Sequence, residues 1–208
     1  MYLPPAFAET DVAKLHEAIR HSGLATLVTL AADGLVASHV PLLIDPGPAP
    51  YGTLLGHLAV ANPQAKPPRL GVEALAMFLG PDAYVSPNWY KTRQETGKVV
   101  PTWNYVAIHA YGTLELFDDH QSLRALVARL TDHHEAALPK QWKVDDAPEP
   151  YVQSQLKGIV GFRLRVTRFD GKWKMSQNKS PADREGVKQA LSQESDPIKQ
   201  AVSALIEP

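Results

Sequence analysis

The stretch from Ile159 to Asn178 reads IVGFRLRVTRFDGKWKMSQN and carries the clearest local pattern in the chain. Its first half alternates apolar side chains with glycine, arginine or threonine, and the apolar members are Val160, Phe162, Leu164 and Val166. A period of two is typical of a β-strand with one buried face. Asp170-Gly171 is a favoured dipeptide for a two-residue hairpin turn. The stretch therefore predicts an antiparallel hairpin that turns at Asp170 and Gly171.

Pairing in this hairpin predicts a cationic strip on its polar face. With Phe169 opposite Lys172, the side chains of Arg163, Arg165 and Lys174 share one face of the two strands. We interpret the strip as a solvated sheet face. A phosphate anchor and a small nucleic-acid contact are the functional alternatives.

The rest of the chain predicts more strands, with helices between and after them. Strand-like runs cover residues 24–30, 35–45, 53–59, 73–80, 82–85 and 105–117, and the first two are joined by a turn at 31–34. Helices are predicted at residues 11–21, 119–138, 151–157, 181–193 and 197–206, and a polar loop at 91–100. Strands in short succession with helices around them favour a mainly β fold, with an antiparallel barrel-like sheet and peripheral α-helices.

The composition excludes several classes of protein. The chain has 208 residues, 44% of them apolar, which suits one large domain or one domain with appendages. It has no cysteine, so disulfides, thiolate metal sites and cysteine nucleophiles are excluded. The first seven residues lack the basic and apolar regions of a signal peptide, and no apolar run approaches about 18 residues. We expect a cytoplasmic protein without a transmembrane helix.

The charge balance argues against direct reading of nucleic acid. Lysine and arginine number 21 against 22 aspartate and glutamate, whereas nucleic-acid modules usually show a basic excess. The segment 197–208, which includes the last predicted helix, contains only Lys199 among cations, so this helix is no recognition helix. We predict weak or indirect DNA binding. No metal site is predicted, because the adjacent His133 and His134 would point about 100° apart on a helix.

Four short islands combine hydrogen-bonding side chains with glycine, proline or aromatic residues. They are residues 37–41, 56–64, 86–90 together with 100–105, and 174–178. Such a set suits a flat, heteroatom-rich ligand, with apolar groups over its faces and polar groups at its edge. Each island alone is better explained by a strand that ends in a turn, because loops use these residue types anyway.

The third island concentrates aromatic side chains. Trp89, Tyr90, Trp103 and Tyr105 lie within seventeen residues. This is more aromatic surface than a monomer should expose, and large apolar patches mark interfaces. The island therefore predicts a homodimer.

Taken together, the islands resemble the PaiB-type FMN-binding negative transcriptional regulators. The most specific shared strings are residues 101–105 (PTWNY) and 175–178 (MSQN), and the resemblance also includes residues 1–7, 25–29 and 56–59. It implies an antiparallel split β-barrel of the FMN-binding type, related to pyridoxamine-phosphate oxidases and flavin reductases. It also implies a homodimer with FMN in the cleft between subunits. Residues 1–180 would form the split-barrel domain with its peripheral helices, and residues 181–208 a C-terminal helical extension packed on the barrel.

The resemblance further implies which residues contact FMN. Some would lie near the phosphate, others beside the ring, and others would line the cleft from the same or the other subunit. The phosphate group is His57, Ala59, Asn62 and Gln64; the ring group is Ser38, His39 and Val40; the cleft group is Trp103, Asn104, Lys174 and Gln177. The turn after Ala59 should also free backbone N–H groups, from which an anion can accept.

Three positions depart from the family pattern. Val60 stands where the family often carries arginine, Ala65 where it often has tryptophan, and Lys179 where arginine is frequent. The valine removes a charge-assisted contact, so we expect weak FMN binding.

Three functions follow from these features. The first is an FMN-binding negative transcriptional regulator of the PaiB type. The second is a flavin-dependent oxidoreductase on the same fold, since fold does not fix function. The third, a direct DNA-binding repressor without flavin, is disfavoured by the charge balance.

Overall fold

A computed structural model describes residues 1–66 and 72–207. Eight strands lie within this part of the chain: β1 (Ala8–Glu9), β2 (Leu24–Ala31), β3 (Gly34–Pro41), β4 (Leu43–Asp45), β5 (Thr53–Ala59), β6 (Ala74–Val85), β7 (Thr102–Phe117) and β8 (Ile159–Lys174). They form one sheet in the order β3-β2-β6-β7-β8-β5-β4, and β1 pairs with β8. The pairings of β2 with β3 and β6, and of β5 with β4 and β8, are antiparallel. The predicted mainly β, antiparallel fold is confirmed.

The helices lie close to where their caps and apolar spacing predict them. The described residues contain α1 (Val12–His21), α2 (Thr92–Thr96), α3 (His120–Glu135), α4 (Glu149–Leu156), α5 (Pro181–Ser192) and α6 (Pro197–Leu205). The side chains of Asp119, Ser180 and Asp196 accept hydrogen bonds from the first turns of α3, α5 and α6. The predicted loop at residues 91–100 is partly wrong, because it contains α2.

Two compact units divide the chain. The first unit comprises Met1–Asp11, Leu79–Ile108 and Asp170–Pro208, and the second comprises Val12–Phe78 and His109–Phe169. The strands β6, β7 and β8 contribute residues to both units. The division into residues 1–180 and 181–208 stays a prediction.

The core of the first unit joins its strands to the two C-terminal helices. Its buried members are Ala83, Val85, Tyr90, Val106, Met175, Val187, Leu191, Val202 and Ile206. Tyr90 is only 2% exposed, which corrects its predicted place in an exposed aromatic patch. Trp89 and Tyr105 are half-buried, and Trp103 remains 52% exposed.

The core of the second unit lies between the sheet and α3. Leu43 and Leu55 of the sheet pack against Leu126 and Leu130 of α3, with Phe117 beside them. The helical spacing of the two α3 leucines explains why this face of the helix is buried. A second cluster joins α3 to α4 through Leu123, Val144, Val152 and Leu156.

The hairpin predicted at Asp170 and Gly171 is wrong, because β8 runs through both residues. Glu9 and Ala8 of β1 pair with Gly171 and Lys172, so the dipeptide lies in a paired strand. The N-terminal ammonium group donates to Asp170 Oδ2 at 2.7 Å. Gly171 lacks the positive φ that the favoured two-residue turn requires. The turn signal is overridden by a partner strand from the distant N-terminal residues.

Candidate functional site

Asn62 organises the turn that follows β5 in the second unit. Its Oδ1 atom accepts from the backbone N–H of Gln64 at 2.9 Å and begins a short 3₁₀ turn, Pro63–Ala65. Its Nδ2 atom donates to Ser38 Oγ on β3 at 2.9 Å. The structure therefore brings Ser38 and Asn62 together, although 24 residues separate them in the chain.

Gln64 fastens this turn to the neighbouring strands. The side chain is 4% exposed, and its Nε2 atom lies within hydrogen-bond distance of three oxygens on β2 and β3: Leu27 O (3.2 Å), Thr29 Oγ1 (3.0 Å) and Val36 O (3.1 Å). Its Oε1 atom is buried and has no hydrogen-bond partner among residues 1–66 and 72–207. Gln64 therefore holds the turn in place through its Nε2 atom, and its Oε1 atom can accept a hydrogen bond from a ligand.

His57 lies on β5, opposite Gly161 of β8. Its ring is half-buried, and its Nδ1 atom has no hydrogen-bond partner in the described part of the chain. Burial lowers the pKa of His57 below the ordinary value of 6.5. The ring is therefore neutral at neutral pH, and its Nδ1 atom can either donate or accept one hydrogen bond with a ligand.

The other sequence-predicted members of the second unit differ in accessibility. Ala59 is exposed at the end of β5. His39 is also exposed, and its Nδ1 atom shares a hydrogen bond of 3.1 Å with Thr26 Oγ1. Val40 is 7% exposed and belongs to the core, so its side chain is not available to a ligand.

The backbone N–H groups expected to be free after Ala59 are largely engaged. The N–H of Val60 donates to Gly158 O, that of Asn62 to Ala59 O, and that of Ala65 to Asn62 O, each at 2.9 Å. The N–H of Gln64 is held by Asn62. The 3₁₀ turn satisfies its own donors, so this part of the prediction is wrong, and an anion here depends on side chains.

Asn104 is the centre of the polar group in the first unit. Its side chain is fully buried on β7, and its Oδ1 atom accepts from Ser176 Oγ at 3.1 Å. Its Nδ2 atom is buried, and no described residue forms a hydrogen bond with it. Ser176 has a φ of +62°, in the left-handed region that residues other than glycine rarely adopt. Such backbone strain is concentrated at functional sites.

Lys174 joins the same group from β8. Its Nζ atom donates to Thr102 Oγ1 and to the carbonyl oxygen of Trp103. The pKa of Lys174 is lowered, first by burial and then by the positive charges of Lys172 and Lys179. Three ammonium groups in one neighbourhood favour a bound anion, because an anion would relieve their repulsion.

Gln177 is already used within its own turn. Its Oε1 atom accepts from Met175 N at 2.7 Å, and its Nε2 atom donates to Trp173 O at 2.6 Å. The exposed Trp103 ring meets Tyr84 edge-on, with a centroid separation of 6.0 Å. The exposed ring of Trp103 can therefore contact a ligand or a partner, whereas the amide of Gln177 is already hydrogen-bonded and stabilises its own turn.

The predicted cationic strip is wrong, because it depended on the absent hairpin. Arg163 stacks on Phe117, with its Cζ atom 4.1 Å from the ring centroid. Arg165 forms an ion pair with Glu115, with Nε and Oε1 3.2 Å apart. Lys174 belongs to the polar group of the first unit.

Sequence reasoning missed two contributors, Thr29 and Lys172. Thr29 is the last residue of the family string 25–29, and its hydroxyl group accepts a hydrogen bond from Gln64. Its place in that string could have marked Thr29 as a site residue. Lys172 is 6% exposed and donates to Tyr2 O at 3.1 Å. No local pattern indicates its burial, because the contact comes from the N-terminal residues.

Among residues 1–66 and 72–207, no three histidine, aspartate or glutamate side chains are grouped so that they could hold a metal ion. No helix in the same part of the chain is both long and apolar enough to cross a membrane.

Each unit contains buried polar atoms that could bond to a heteroatom-rich ligand. Among the described residues, His57 Nδ1 and Gln64 Oε1 in the second unit and Asn104 Nδ2 in the first unit are buried without a hydrogen-bond partner, as are Tyr90 Oη and Arg184 Nε outside the sequence-predicted set. Buried polar groups normally find partners, so such atoms mark positions where a ligand gains hydrogen bonds. A flavin carries carbonyl, ring-nitrogen and hydroxyl groups that match one acceptor, one donor and one imidazole.

Comparison with known proteins defines the class. A sequence family described as "Putative FMN-binding domain" matches residues 1–168. The chain is 37% identical over 232 aligned positions to an uncharacterised protein of Aspergillus fumigatus, covering 90% of this chain and 89% of that protein. It is 31% identical over 208 positions to the protease synthase and sporulation protein PAI 2 of Bacillus subtilis, covering 100% and 97%.

A solved structure shares the fold at low sequence identity. The crystal structure of a conserved hypothetical protein from Mycobacterium tuberculosis superposes with a TM-score of 0.60 at 13% identity, covering 87% of this chain and 94% of that one. The fold is an antiparallel split β-barrel of the flavin-binding type. The chain belongs to the PaiB-type FMN-binding domain family.

Proposed function

We propose that this protein binds FMN and acts as a negative transcriptional regulator of the PaiB type. The observation that carries the flavin proposal is that the buried polar atoms without a partner in residues 1–66 and 72–207 include His57 Nδ1, Gln64 Oε1 and Asn104 Nδ2, on three of the sequence-predicted residues. FMN, when bound, supplies two-electron redox chemistry, and the protein need only position it.

The eleven sequence-predicted residues take different roles in this proposal. His57, Ala59 and Asn62 lie at the phosphate end, and the buried Gln64 holds their turn in place. Ser38 and His39 border the ring through their side chains, and Val40 through its main chain. Trp103, Asn104, Lys174 and Gln177 line the cleft.

We further propose a homodimer in which the cleft residues come from a second copy. The 52% exposure of Trp103 and the neighbouring ring of Tyr84 support an aromatic contact surface. Light scattering at micromolar concentration should give twice the mass of one chain. A monomer under these conditions would contradict the dimer.

A titration of the purified protein with FMN tests the cofactor. We expect flavin fluorescence to change with saturation below about 100 micromolar, a modest affinity that suits the missing arginine at position 60. FAD and riboflavin in parallel titrations show whether the phosphate monoester is required. No binding at that concentration would remove FMN from the proposal.

The regulatory role is proposed to act through a partner or a flavin-linked signal. With 21 cationic and 22 anionic residues, the chain lacks the charge excess that dominates DNA affinity. Fluorescence anisotropy with promoter-length DNA at about 0.15 M salt, with and without FMN, should show only weak binding. Sequence-specific binding tighter than about 10⁻⁸ M would identify a direct operator reader instead. Turnover of reduced nicotinamide by the FMN-loaded protein would favour the oxidoreductase.

A further inference from the structure

A cavity of about 470 Å³ opens in the second unit between the sheet and α3. Its lining includes Leu55, Phe117, Leu126, Arg129, Arg163 and Arg165, and none of the eleven proposed flavin-site residues lines it. Its volume lies within the range of about 300–1,000 Å³ that is usual for small-molecule sites. The cavity is therefore large enough for a ligand of its own.

The floor of the cavity is built by the pairing of β5 with β8. Leu55 is opposite Arg163 and Thr53 is opposite Arg165. The two arginines are two residues apart on one strand, so they project from the same face, roughly 6.6 Å apart at 3.3 Å per residue. The sheet register thus places two guanidinium groups side by side at the cavity.

Arg163 differs from the other two arginines in its partners. Arg129 pairs with Asp45, and Arg165 pairs with Glu115. Within residues 1–66 and 72–207, Arg163 has no carboxylate oxygen within 4.0 Å and instead stacks on the Phe117 ring. The pKa of Asp119 is lowered first by hydrogen bonding to Ser122 and to a smaller extent by the charge of Arg163. Its carboxylate is already engaged as the cap of α3, because it accepts from Ser122 N at 2.8 Å. Arg163 is thus a half-buried cation that keeps its hydrogen-bond donors for another anion.

The position of Phe117 depends on the absence of a side chain beneath it. A Cβ atom on Gly161 would lie 2.3 Å from the Phe117 ring, so only glycine allows the ring to sit against β8. The ring then covers one face of the Arg163 guanidinium. This leaves the donors at the edge of the guanidinium to bind an oxyanion in a forked geometry.

Apolar side chains make up the rest of the surface near Arg163. Leu55 and Leu126 belong to a buried cluster, and Phe117 packs against it. A cation beside an apolar wall recognises a molecule with an anionic head and an apolar body. We propose that this cavity binds a small amphipathic anion, with its carboxylate or phosphate on Arg163 and its aliphatic or aromatic body against Leu55, Phe117 and Leu126.

The test uses the fluorescent anion 8-anilinonaphthalene-1-sulfonate, first alone and then with octanoate or octyl phosphate as competitors. We expect saturable binding that either competitor reverses, and the stronger competitor identifies the preferred head group. Arg163→Gln should weaken binding by roughly ten- to a hundredfold, as expected for loss of one charge-assisted contact. Arg20→Gln removes an arginine from α1 of the same unit and should leave binding within about twofold.

A second variant tests the location independently of charge. Ala125 lines the cavity from the exposed side of α3, and Ala125→Phe should fill the space and abolish competitor-sensitive binding. Thermal unfolding of each variant confirms that it is folded. The proposal is overturned if the wild type binds none of the three anions, or if Arg163→Gln or Ala125→Phe binds them as the wild type does.

The cavity and the proposed flavin site can be tested separately. Arg163→Gln should leave FMN affinity unchanged, and saturating FMN should leave bound 8-anilinonaphthalene-1-sulfonate in place. If FMN displaces the probe and Arg163→Gln loses FMN, the cavity is the flavin site, and a separate anion site is overturned. If FMN does not bind at all but the probe responds as expected, only the flavin proposal fails.

Discussion

Ser176 Oγ donates a hydrogen bond of 3.1 Å to Asn104 Oδ1, and this bond joins two segments 72 residues apart in the chain. It connects the string 101–105 to the string 175–178. It also fixes the carboxamide of Asn104, so that Nδ2 is the atom left without a hydrogen-bond partner among the residues that the structure describes. The two most specific family strings therefore meet at one buried amide.

Asn104→Ala should weaken FMN binding, because it removes the unpartnered donor. One neutral hydrogen bond corresponds to an affinity loss of about two- to tenfold. Flavin fluorescence titration measures the change. Asn88→Ala, at an exposed position of the same unit, is the matched control and should bind FMN as the wild type does. Equal affinities for both variants would exclude a role for Asn104.

Gln64→Leu should lower the free energy of unfolding by about 1–3 kcal/mol. The substitution leaves the buried oxygens of Leu27, Thr29 and Val36 without the Nε2 donor. Urea unfolding followed by circular dichroism measures the difference. Gln153→Leu changes an exposed glutamine on α4 and should alter stability by less than about 0.5 kcal/mol.

Val60→Arg should raise FMN affinity by roughly ten- to a hundredfold, as expected for one restored charge-assisted contact. Val60 is 58% exposed, so a longer side chain can be placed there without disturbing the core. Leu138→Arg adds the same charge at another exposed site of the second unit and should leave the affinity unchanged. A similar gain in both variants would indicate a general effect of net charge.

His57→Gln should flatten the pH dependence of stability below about pH 6.5. Burial lowers the pKa of His57 in the folded state. As the pH falls through the ordinary value of 6.5, His57 becomes protonated in the unfolded chain while it stays neutral in the folded protein. The unfolded state is thereby stabilised, and the free energy of unfolding decreases. This loss continues until the pH reaches the folded-state pKa. Urea unfolding from about pH 8 to about pH 5 compares His57→Gln with the wild type, and equal slopes for the two proteins would contradict the prediction.

Gly186→Ala should destabilise the protein although alanine favours helices. A Cβ atom at this position of α5 would lie 2.2 Å from the backbone oxygen of Trp89. We expect a loss of about 1–3 kcal/mol from the clash, which exceeds the gain of about 1 kcal/mol in helix propensity. Gly23→Ala is the control, because no atom lies within 4 Å of its Cβ position. Thermal unfolding should show a lower midpoint for Gly186→Ala only.

Local patterns determined most of the secondary structure. The strand predicted at residues 53–59 is β5, and the turn at 31–34 joins β2 to β3. The caps Asp119, Ser180 and Asp196 place the starts of α3, α5 and α6. These features depend on contacts within a few residues, or on a period of two or 3.6, and both can be read directly from the chain.

Only the tertiary structure decided the features that depend on distant partners. The helix α2 lies in a predicted loop, and its first residue, Thr92, is held through both its backbone N–H and its hydroxyl by Asp183. Gly171 remains extended because Glu9 of β1 pairs with it, and Asp170 beside it accepts a hydrogen bond from the N-terminal ammonium group. The sequence shows that Asn104 and Gln64 are polar, but their burial and their unpartnered atoms result from strands far apart in the chain. A hydrogen bond between distant segments produces no periodic pattern in the sequence, so the partners of each of these side chains were decided by the tertiary structure of its own unit.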